Sequence, residues 1–172
     1  MSVKTILTEP NKILRQISKS VKGVGIEEKK LMDDMLDTMY AANGIGLAAI
    51  QIGIPKRIIV MDISREQNKK EPMYFVNPVI KNKNLDKATY EEGCLSVPDQ
   101  FAEIERPNTC EVEYLDYEGE KQLLKADGLL ATCIQHEMDH LEGILFIDYL
   151  SKLKKSMIIK KLSKIKINRE IF

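Results

Sequence analysis

The chain has 172 residues, of which 44% are hydrophobic and 30% are charged, and its 26 basic side chains balance 26 acidic ones. This length suits a single domain spanning 1–172, and the composition argues against a disordered or fibrous chain. No apolar run approaches the ~20 residues of a membrane span, and the zero net charge argues against DNA binding by the whole chain.

The three cysteines are Cys94, Cys110 and Cys133, an odd number without regular spacing. This pattern argues against a disulfide framework and favours a reducing compartment or a metal role. The N-terminus leads into no long apolar segment, so we predict no secretory signal and expect a cytoplasmic location. We also expect a monomer, because the sequence shows no obvious dimer seam.

The first quarter of the chain predicts two helices. A brief one follows Pro10-Asn11, and Gly23 and Gly25 end it. Over 26–42, apolar residues recur at steps of three and four, which is typical of an amphipathic helix packed on a core. Asn43-Gly44 then provides a suitable C-terminal stop.

The segment 44–53 is rich in small residues and carries one uncharged polar side chain, Gln51. Two interpretations stay open. It is either a glycine-rich loop packed closely on the core, or an exposed backbone edge against which a ligand can lie, with the Gln51 amide directed at that ligand.

The middle of the chain predicts strands, and the C-terminal part predicts helices. Buried or alternating apolar patterns indicate strands at 57–63, 73–80, 109–117 and 121–125, with a polar loop over 64–72. Pro78 would confine the second strand to a sheet edge or a bulge. Helices are predicted at 128–141 and 149–165. Strands in the middle with helices towards both ends indicate an α+β fold.

One stretch within the helix predicted at 128–141 carries a chemical signature. Gln135-His136-Glu137-Met138-Asp139-His140 contains the pattern H-E-x-x-H, with the only two histidines of the chain. Residues four apart lie on one face of a helix, so His136 and His140 can hold one metal ion. Glu137 would then lie beside the metal as a general base. The alternative is two ordinary histidines on a helix.

A third ligand is required, and geometry sorts the cysteines. Cys133 lies seven residues before His140, about 10 Å along a helix, whereas ligands of one ion lie within about 4 Å of each other, given bonds of about 2.0–2.3 Å. Cys110 falls in an alternating strand, where a core position is expected. Cys94 remains, and with His136 and His140 it completes a three-ligand site whose open fourth position, taken by water, marks a catalytic centre. The alternative role for Cys94 is that of a reactive nucleophile.

Three stretches together resemble one family, the peptide deformylases. They are Gly44-Ile45-Gly46-Leu47-Ala48-Ala49-Ile50-Gln51, Glu92-Gly93-Cys94-Leu95-Ser96 and Gln135-His136-Glu137-Met138-Asp139-His140. They match, in order, that family's motifs GxGxAAxQ, EGCLS and QHExDH. The resemblance implies an α+β domain in which antiparallel sheets pack around a central metal-bearing helix, with one helix N-terminal and one C-terminal to it.

The same resemblance implies the activity and the metal. The enzyme would remove the formyl group from the N-terminal formylmethionine of nascent polypeptides and release formate. One Fe2+ per chain is the implied ion, and Zn2+, Ni2+ or Co2+ would substitute for it.

The resemblance also implies roles for individual residues. Glu137 would accept a proton from the attacking water, while the Gln51 amide and the Leu95 backbone N–H would stabilise the oxyanion. The remaining candidates would bind substrate through the exposed backbone edge, the motif around Cys94 and a methionine pocket; they are Gly44, Ile45, Gly46, Glu92, Gly93, Leu129 and Cys133. For Ile45 and Leu129, plain core packing is the alternative. Phe101 departs from the family pattern, where many bacterial members carry arginine near the pocket rim.

The C-terminal segment 151–172 is strongly basic, with eight basic side chains against one acidic side chain, a net charge of +7. A solvated helix face and a polyanion-binding surface are both reasonable interpretations. The resemblance implies that this helix docks on the ribosome.

Two other functions compete with this interpretation. A metallopeptidase would use the same helix with a downstream ligand, either Glu142 or Asp148. A non-enzymatic structural metal-binding module would have no exchangeable water at the metal.

Overall fold

The computed structural model describes residues 2–64 and 69–170, with side chains described up to residue 165. Part of the loop predicted at 64–72 and the end of the basic tail therefore lie outside the described residues. The helices are α1 (Ile26–Ala41), α2 (Gly128–Leu141) and α3 (Lys152–Glu170), with short 3-10 helices at Lys12–Arg15, Ala49–Ile52 and Phe146–Tyr149. None of the described helices combines the length and apolarity needed to cross a lipid bilayer.

Within the described residues, seven strands form two antiparallel sheets. Their bounds are β1 (Gly46–Ala48), β2 (Ile58–Met61), β3 (Met73–Lys83), β4 (Lys87–Cys94), β5 (Val97–Pro107), β6 (Thr109–Leu115) and β7 (Lys121–Asp127). Five of them form a sheet in the order β1-β2-β3-β6-β7, and β4 and β5 form a separate hairpin. This architecture confirms the predicted α+β class and antiparallel sheets.

The five-stranded sheet is buried on both faces near β2. Ile58 and Val60 pack in a cluster with α1, whereas Ile59 and Met61 pack in a cluster with α2. Successive side chains of a strand point to opposite faces, so the uninterrupted apolar run of β2 reflects a helix on each side. One face of the sheet thereby provides the packing surface for α2.

A third apolar cluster joins the β4–β5 hairpin to the C-terminal part of the chain. Val97 and Ile104 of the hairpin pack against Phe146 and Ile147, and α3 adds Leu162. The hairpin thus packs against elements distant in sequence, and within the described residues neither of its strands pairs with the five-stranded sheet.

The ends of α2 follow from local chemistry. Asp127 is extended at the N-terminal cap, and Gly128 follows with φ +51°. After the helix, Gly143 has φ +71°, and a Cβ there would lie 2.5 Å from the backbone oxygen of Arg15. Only glycine fits that position, because it combines a left-handed backbone with a close approach to another segment.

The predicted helices agree with the structure, with differences at their ends. The helix predicted at 26–42 is Ile26–Ala41, and that predicted at 128–141 is Gly128–Leu141. The last helix begins at Lys152 rather than at 149, because Phe146–Tyr149 forms a 3-10 helix and Ser151 accepts a hydrogen bond from the N–H of Lys154.

Both strands predicted between residues 57 and 83 are present in the structure. Elsewhere in the chain, the set of predicted strands was incomplete. Pro78 lies at a register shift between Val76 and Val79 in the central strand β3, which confirms the bulge and not the sheet edge. The hairpin β4–β5 and the short strand β1 were not predicted. The hairpin carries one face towards solvent and buries few of its residues, so its apolar signal in the sequence is weak.

Candidate metal centre

Helix α2 presents both histidines on one buried face. The imidazole centroids of His136 and His140 lie 5.0 Å apart, and the two residues are 8% and 0% exposed. Glu137, between them in sequence, is 6% exposed. The helical spacing predicted from H-E-x-x-H is therefore present, and the pair faces into the protein rather than towards solvent.

Cys94 reaches this pair from the end of β4. Its Sγ lies 3.3 Å from Nε2 of His140, and the candidate ligand atoms of Cys94, His136 and His140 all lie within 4.8 Å of one another. One thiolate and two imidazoles form a donor set that suits Fe2+, Zn2+ and related ions. In the part of the chain that the structure describes, no other group of three His, Cys, Asp or Glu residues has this arrangement.

The outer nitrogen of His136 is held by a buried ion-pair network. Nδ1 of His136 lies 2.8 Å from Oε2 of Glu92. Arg106 in turn donates from Nε to Oε1 of Glu92 at 2.6 Å and from Nη2 to Oε2 at 3.0 Å. Such outer partners fix the ring orientation and the tautomer of a ligating histidine, leaving Nε2 for the metal.

Gln51 lies on the other side of Cys94, in the 3-10 helix that follows β1. Its Oε1 accepts a hydrogen bond of 2.8 Å from the N–H of Ala48, which orients the amide. Its Nε2 donates to Oγ of Ser96 at 3.1 Å and lies 3.6 Å from Sγ of Cys94. The amide is thereby aimed at the ligand cluster although the residue is 1% exposed.

A cleft of about 500 Å³ leads from solvent to this cluster. One carboxylate oxygen of Glu137, Oε2, is buried without a hydrogen-bond partner among the described residues. A Cβ on Gly46 would lie 2.4 Å from Oε1 of Glu137, so the absence of a side chain at that position makes room for the carboxylate. The buried acid therefore has an acceptor available for a group entering the cleft.

Burial changes the proton affinities of these groups. It raises the pKa of Glu137 to about 7, which suits a group that takes up and releases a proton near neutral pH. Burial and the neighbouring His136 lower the pKa of His140, so its ring stays neutral and able to bind a metal. Burial alone would raise the pKa of Glu92, but its hydrogen bonds with His136 and Arg106 lower it overall.

The structure brings the predicted site residues together. His140 is buried in the ligand cluster. The other predicted residues all line the cleft: Gly44, Ile45, Gly46, Gln51, Glu92, Gly93, Cys94, Leu95, Leu129, Cys133, His136 and Glu137.

One of these residues has contacts that point to a different role. Glu92 was predicted to contact substrate, but its two carboxylate oxygens are bonded to Arg106 and His136. The geometry favours orientation of His136 over substrate contact.

The alternative ligands are engaged elsewhere. Cys133 is buried on the cleft wall, where burial raises the pKa of its thiol to about 12, and Cys110 is buried in β6. Glu142 pairs with Arg57, and Asp148 pairs with Arg15 and Lys155. A downstream third ligand of the metallopeptidase kind is therefore not in place.

Sequence reasoning missed Arg106, which is the ion-pair partner of Glu92. It also missed Asp139, which accepts hydrogen bonds from Arg106 and Tyr149. A signal for Arg106 existed. In β5, Phe101, Glu103 and Glu105 are exposed, whereas Ile104 and Arg106 are buried on the other face. An arginine at an inward position of a strand indicates a buried acidic partner, but the strand itself had not been predicted.

Comparison with known proteins identifies a family. A family model described as polypeptide deformylase matches residues 3–156. A peptide deformylase of Pelagibacter ubique (strain HTCC1062) is 85% identical over 171 residues, which cover 99% of each chain. A peptide deformylase of Phenylobacterium zucineum (strain HLK1) is 58% identical, covering 95% of this chain and 97% of the relative.

Solved structures agree with these relatives. A crystal structure of peptide deformylase from Ehrlichia chaffeensis superposes with a TM-score of 0.93 at 42% identity, covering 99% of this chain and 100% of the other. A second structure from the same organism, in complex with actinonin, has a TM-score of 0.91 at 45% identity and covers 95% and 98% of the two chains.

Proposed function

The chain belongs to the polypeptide deformylase family, and we propose that Cys94, His136 and His140 hold the metal ion of its reaction. The protein is a metal-dependent deformylase that removes the N-formyl group from the formylmethionine of nascent polypeptides. One observation supports the ligand assignment above all others: the ligand atoms of these three residues lie within 4.8 Å of one another at the inner end of a cleft.

We assign proton transfer to Glu137. When bound, the metal supplies Lewis acidity for water activation and for polarising the formyl carbonyl. Glu137 accepts a proton from water as the new C–O bond to the formyl carbon forms. It then gives that proton to the amine nitrogen as the C–N bond breaks, so the products are formate and a free N-terminal amine. Oε2 of Glu137, which has no hydrogen-bond partner among the described residues, supports this role.

The oxyanion formed at the formyl carbon requires donors held in advance. We propose the Gln51 amide and the Leu95 backbone N–H for this task. The backbone N–H of Ala48 donates a hydrogen bond to the side-chain oxygen of Gln51, so the amide nitrogen of Gln51 points towards Cys94. Loss of one such donor typically lowers turnover by about 10²- to 10³-fold.

Substrate binding is proposed along the strand β1. This strand forms one edge of the five-stranded sheet, and the cleft is lined by Gly44, Ile45 and Gly46 immediately before and within it. An extended peptide can add to such an edge through main-chain hydrogen bonds that do not depend on its sequence. Leu129 and Cys133, on the cleft wall formed by α2, would then receive the methionine side chain.

The ion itself is proposed to be Fe2+. A thiolate with two imidazoles accepts ferrous iron as well as Zn2+, Ni2+ or Co2+, and oxidation of Cys94 would destroy the site. We expect the activity of an iron-loaded sample to decay in air while that of a nickel-loaded sample persists. Equal decay of both samples would contradict this assignment.

Release of formate from formyl-Met-Ala-Ser, with metal analysis on the same anaerobic sample, tests the function directly. The parent should release formate with about one metal ion per chain. A Cys94→Ala variant should lose both metal and activity, and a variant that retains its metal would contradict the ligand set.

A ribosome contact through α3 is a separate proposal. The helix exposes Lys152, Lys154, Lys160, Lys161 and Lys164, and such a surface suits the phosphates of ribosomal RNA.

We expect a variant with the last four of these lysines replaced by glutamine to co-sediment more weakly with ribosomes, and the parent's binding to weaken with added salt. Replacement of the exposed Lys22, Lys30, Lys83 and Lys121 is the matched control. Equal co-sedimentation of the two quadruple variants would contradict the proposal.

A further inference from the structure

We propose that Tyr149 is a positioning residue for His136, acting through Asp139, Arg106 and Glu92. This inference rests on the proposed ligand role of His136 and extends it to a residue outside the cleft. Tyr149 ends the 3-10 helix that precedes α3 and is not among the residues that line the cleft.

Tyr149 contacts both members of an ion pair. Its hydroxyl donates to Oδ2 of Asp139 at 2.7 Å, and the same oxygen accepts a bond of 2.8 Å from Nη1 of Arg106. The guanidinium carbon of Arg106 lies 4.9 Å from the centre of the tyrosine ring. The ring therefore covers the guanidinium while the hydroxyl fixes the carboxylate beside it.

The ion pair continues inward to the metal ligand. Arg106 holds both carboxylate oxygens of Glu92, and Oε2 of Glu92 lies 2.8 Å from Nδ1 of His136. Arg106 and Glu92 are only 4% and 6% exposed. Buried charges of this kind are stable only while every partner stays in place.

Tyr149 is the outermost member of this network. It is 51% exposed, so its inner side covers Arg106 and its outer side meets solvent. Without the ring, water reaches the Arg106–Asp139 pair, and the guanidinium is free to turn away from Glu92. Glu92 then loses the partner that holds it against His136, and the imidazole is less firmly oriented for the metal.

The chain contains a matched control for this arrangement. Tyr117 donates to Asp33 at 3.1 Å, and Nζ of Lys29 lies 5.0 Å from the centre of its ring. Here too a tyrosine hydroxyl contacts an aspartate and a cation lies over the ring, although Lys29 pairs with Glu118 and not with Asp33. This group packs between α1 and the end of β6 and is absent from the ligand cluster and the cleft lining.

Cobalt binding tests the proposal without relying on catalysis. Co2+ affinity would be measured by competition with a chelator, and the visible absorption spectrum would report the ligand geometry. We expect Tyr149→Ala to bind Co2+ about tenfold more weakly than the parent, with a changed spectrum. Tyr149→Phe, which keeps the ring, should fall between the parent and Tyr149→Ala. Tyr117→Ala should match the parent in both measurements.

Kinetics at saturating metal separate positioning from simple loss of the ion. Tyr149→Ala should then show a lower kcat with an unchanged KM, because Tyr149 is not among the cleft-lining residues. Thermal unfolding of the metal-free proteins shows whether either tyrosine variant is merely destabilised.

Two results would overturn the proposal. One is parent-like Co2+ affinity and spectrum in Tyr149→Ala; the other is an equal loss of affinity in Tyr117→Ala. Failure of the ligand assignment itself would appear separately, as a parent spectrum without a thiolate-to-cobalt charge-transfer band.

Discussion

Helix α2 and the β4–β5 hairpin both supply the metal centre, but they hold their groups in different ways. On α2, His136, Glu137 and His140 share one face because of helical spacing, and the helix packs on the five-stranded sheet. The hairpin places Cys94 at the end of a strand and is held by the third apolar cluster. One half of the site is therefore set by local geometry, and the other by contacts between distant segments.

The two histidines show the consequence of this difference. His136 is tied to the hairpin through Glu92, whereas Nδ1 of His140 is buried without a hydrogen-bond partner among the described residues. Helix α2 positions both imidazole rings. The hairpin, through Glu92, fixes the orientation of the His136 ring but not that of His140. The proposed proton transfer thus depends most on α2, whereas the orientation of the metal ligands depends most on the hairpin.

Removal of the acid on α2 should have the largest effect. Glu137→Ala should lose between about 10²- and 10⁴-fold in turnover, the usual contribution of general acid–base catalysis. The three metal ligands are untouched, so the metal content should stay near one ion per chain. Formate release and metal analysis on one sample give both values. Near-normal turnover, or loss of the metal, would contradict the division of roles between helix and hairpin.

A change on the opposite wall of the cleft should displace the same carboxylate. In Gly46→Ala, the new Cβ would lie 2.4 Å from Oε1 of Glu137, so either the side chain or the strand must move. A misplacement of about 1 Å in a catalytic group can cost about 10²-fold, and we expect a loss of that order in kcat. Gly23→Ala is the control, since a Cβ at that position meets nothing within 4 Å. Equal activity of the two variants would show that Glu137 tolerates displacement.

The hairpin's contribution is tested by Glu92→Gln. The amide keeps the size of the side chain but loses the charge that pairs with Arg106 and supports His136. Changes of such outer partners cost about 10- to 100-fold in metal affinity or activity. Competition of the variant and the parent for Zn2+ measures the loss. Parent-like Zn2+ affinity would mean that α2 alone orients His136 and that the hairpin does not contribute to metal binding through Glu92.

Sequence reasoning succeeded where spacing along one element determines position. Helix α2 has the bounds predicted for it. The distance argument excluded Cys133, strand alternation set Cys110 aside, and the remaining Cys94 lies in the ligand cluster. Local periodicity is sufficient for such conclusions, because residues four apart on a helix have one possible relation.

Sequence reasoning failed where the position of a residue depends on tertiary contacts. Nothing near Glu92 in sequence indicates that Arg106, fourteen residues later, returns to both of its oxygens. That return requires the hairpin, and the hairpin's strands alternate an exposed face with a buried one through only a few apolar residues. Elimination among the three cysteines identified Cys94 as the third ligand, but the network of Arg106 and Glu92 that holds His136 became visible only in three dimensions.

The smallest expected effect concerns stability in acid, and it also compares the two regions. Hydrogen bonds with His136 and Arg106 lower the pKa of Glu92 below its ordinary value of 4.5 against the opposing effect of burial. A carboxylate with a lowered pKa in the folded protein adds stability that is fully present above its unfolded pKa. That stability is lost as the pH falls through the folded pKa. The free energy of unfolding of the metal-free parent should therefore exceed that of Glu92→Gln by a constant amount near neutral pH, and the gap should narrow below about pH 4.5.

Urea unfolding of the metal-free proteins between neutral and acid pH measures this gap. Glu103→Gln, an exposed position on the outer face of the same hairpin, is the control and should stay close to the parent throughout. A gap that stays constant or widens in acid would mean that the ionised Glu92 does not stabilise the fold. The hairpin would then be held by its apolar cluster alone, and the ion-pair network would serve only to orient His136.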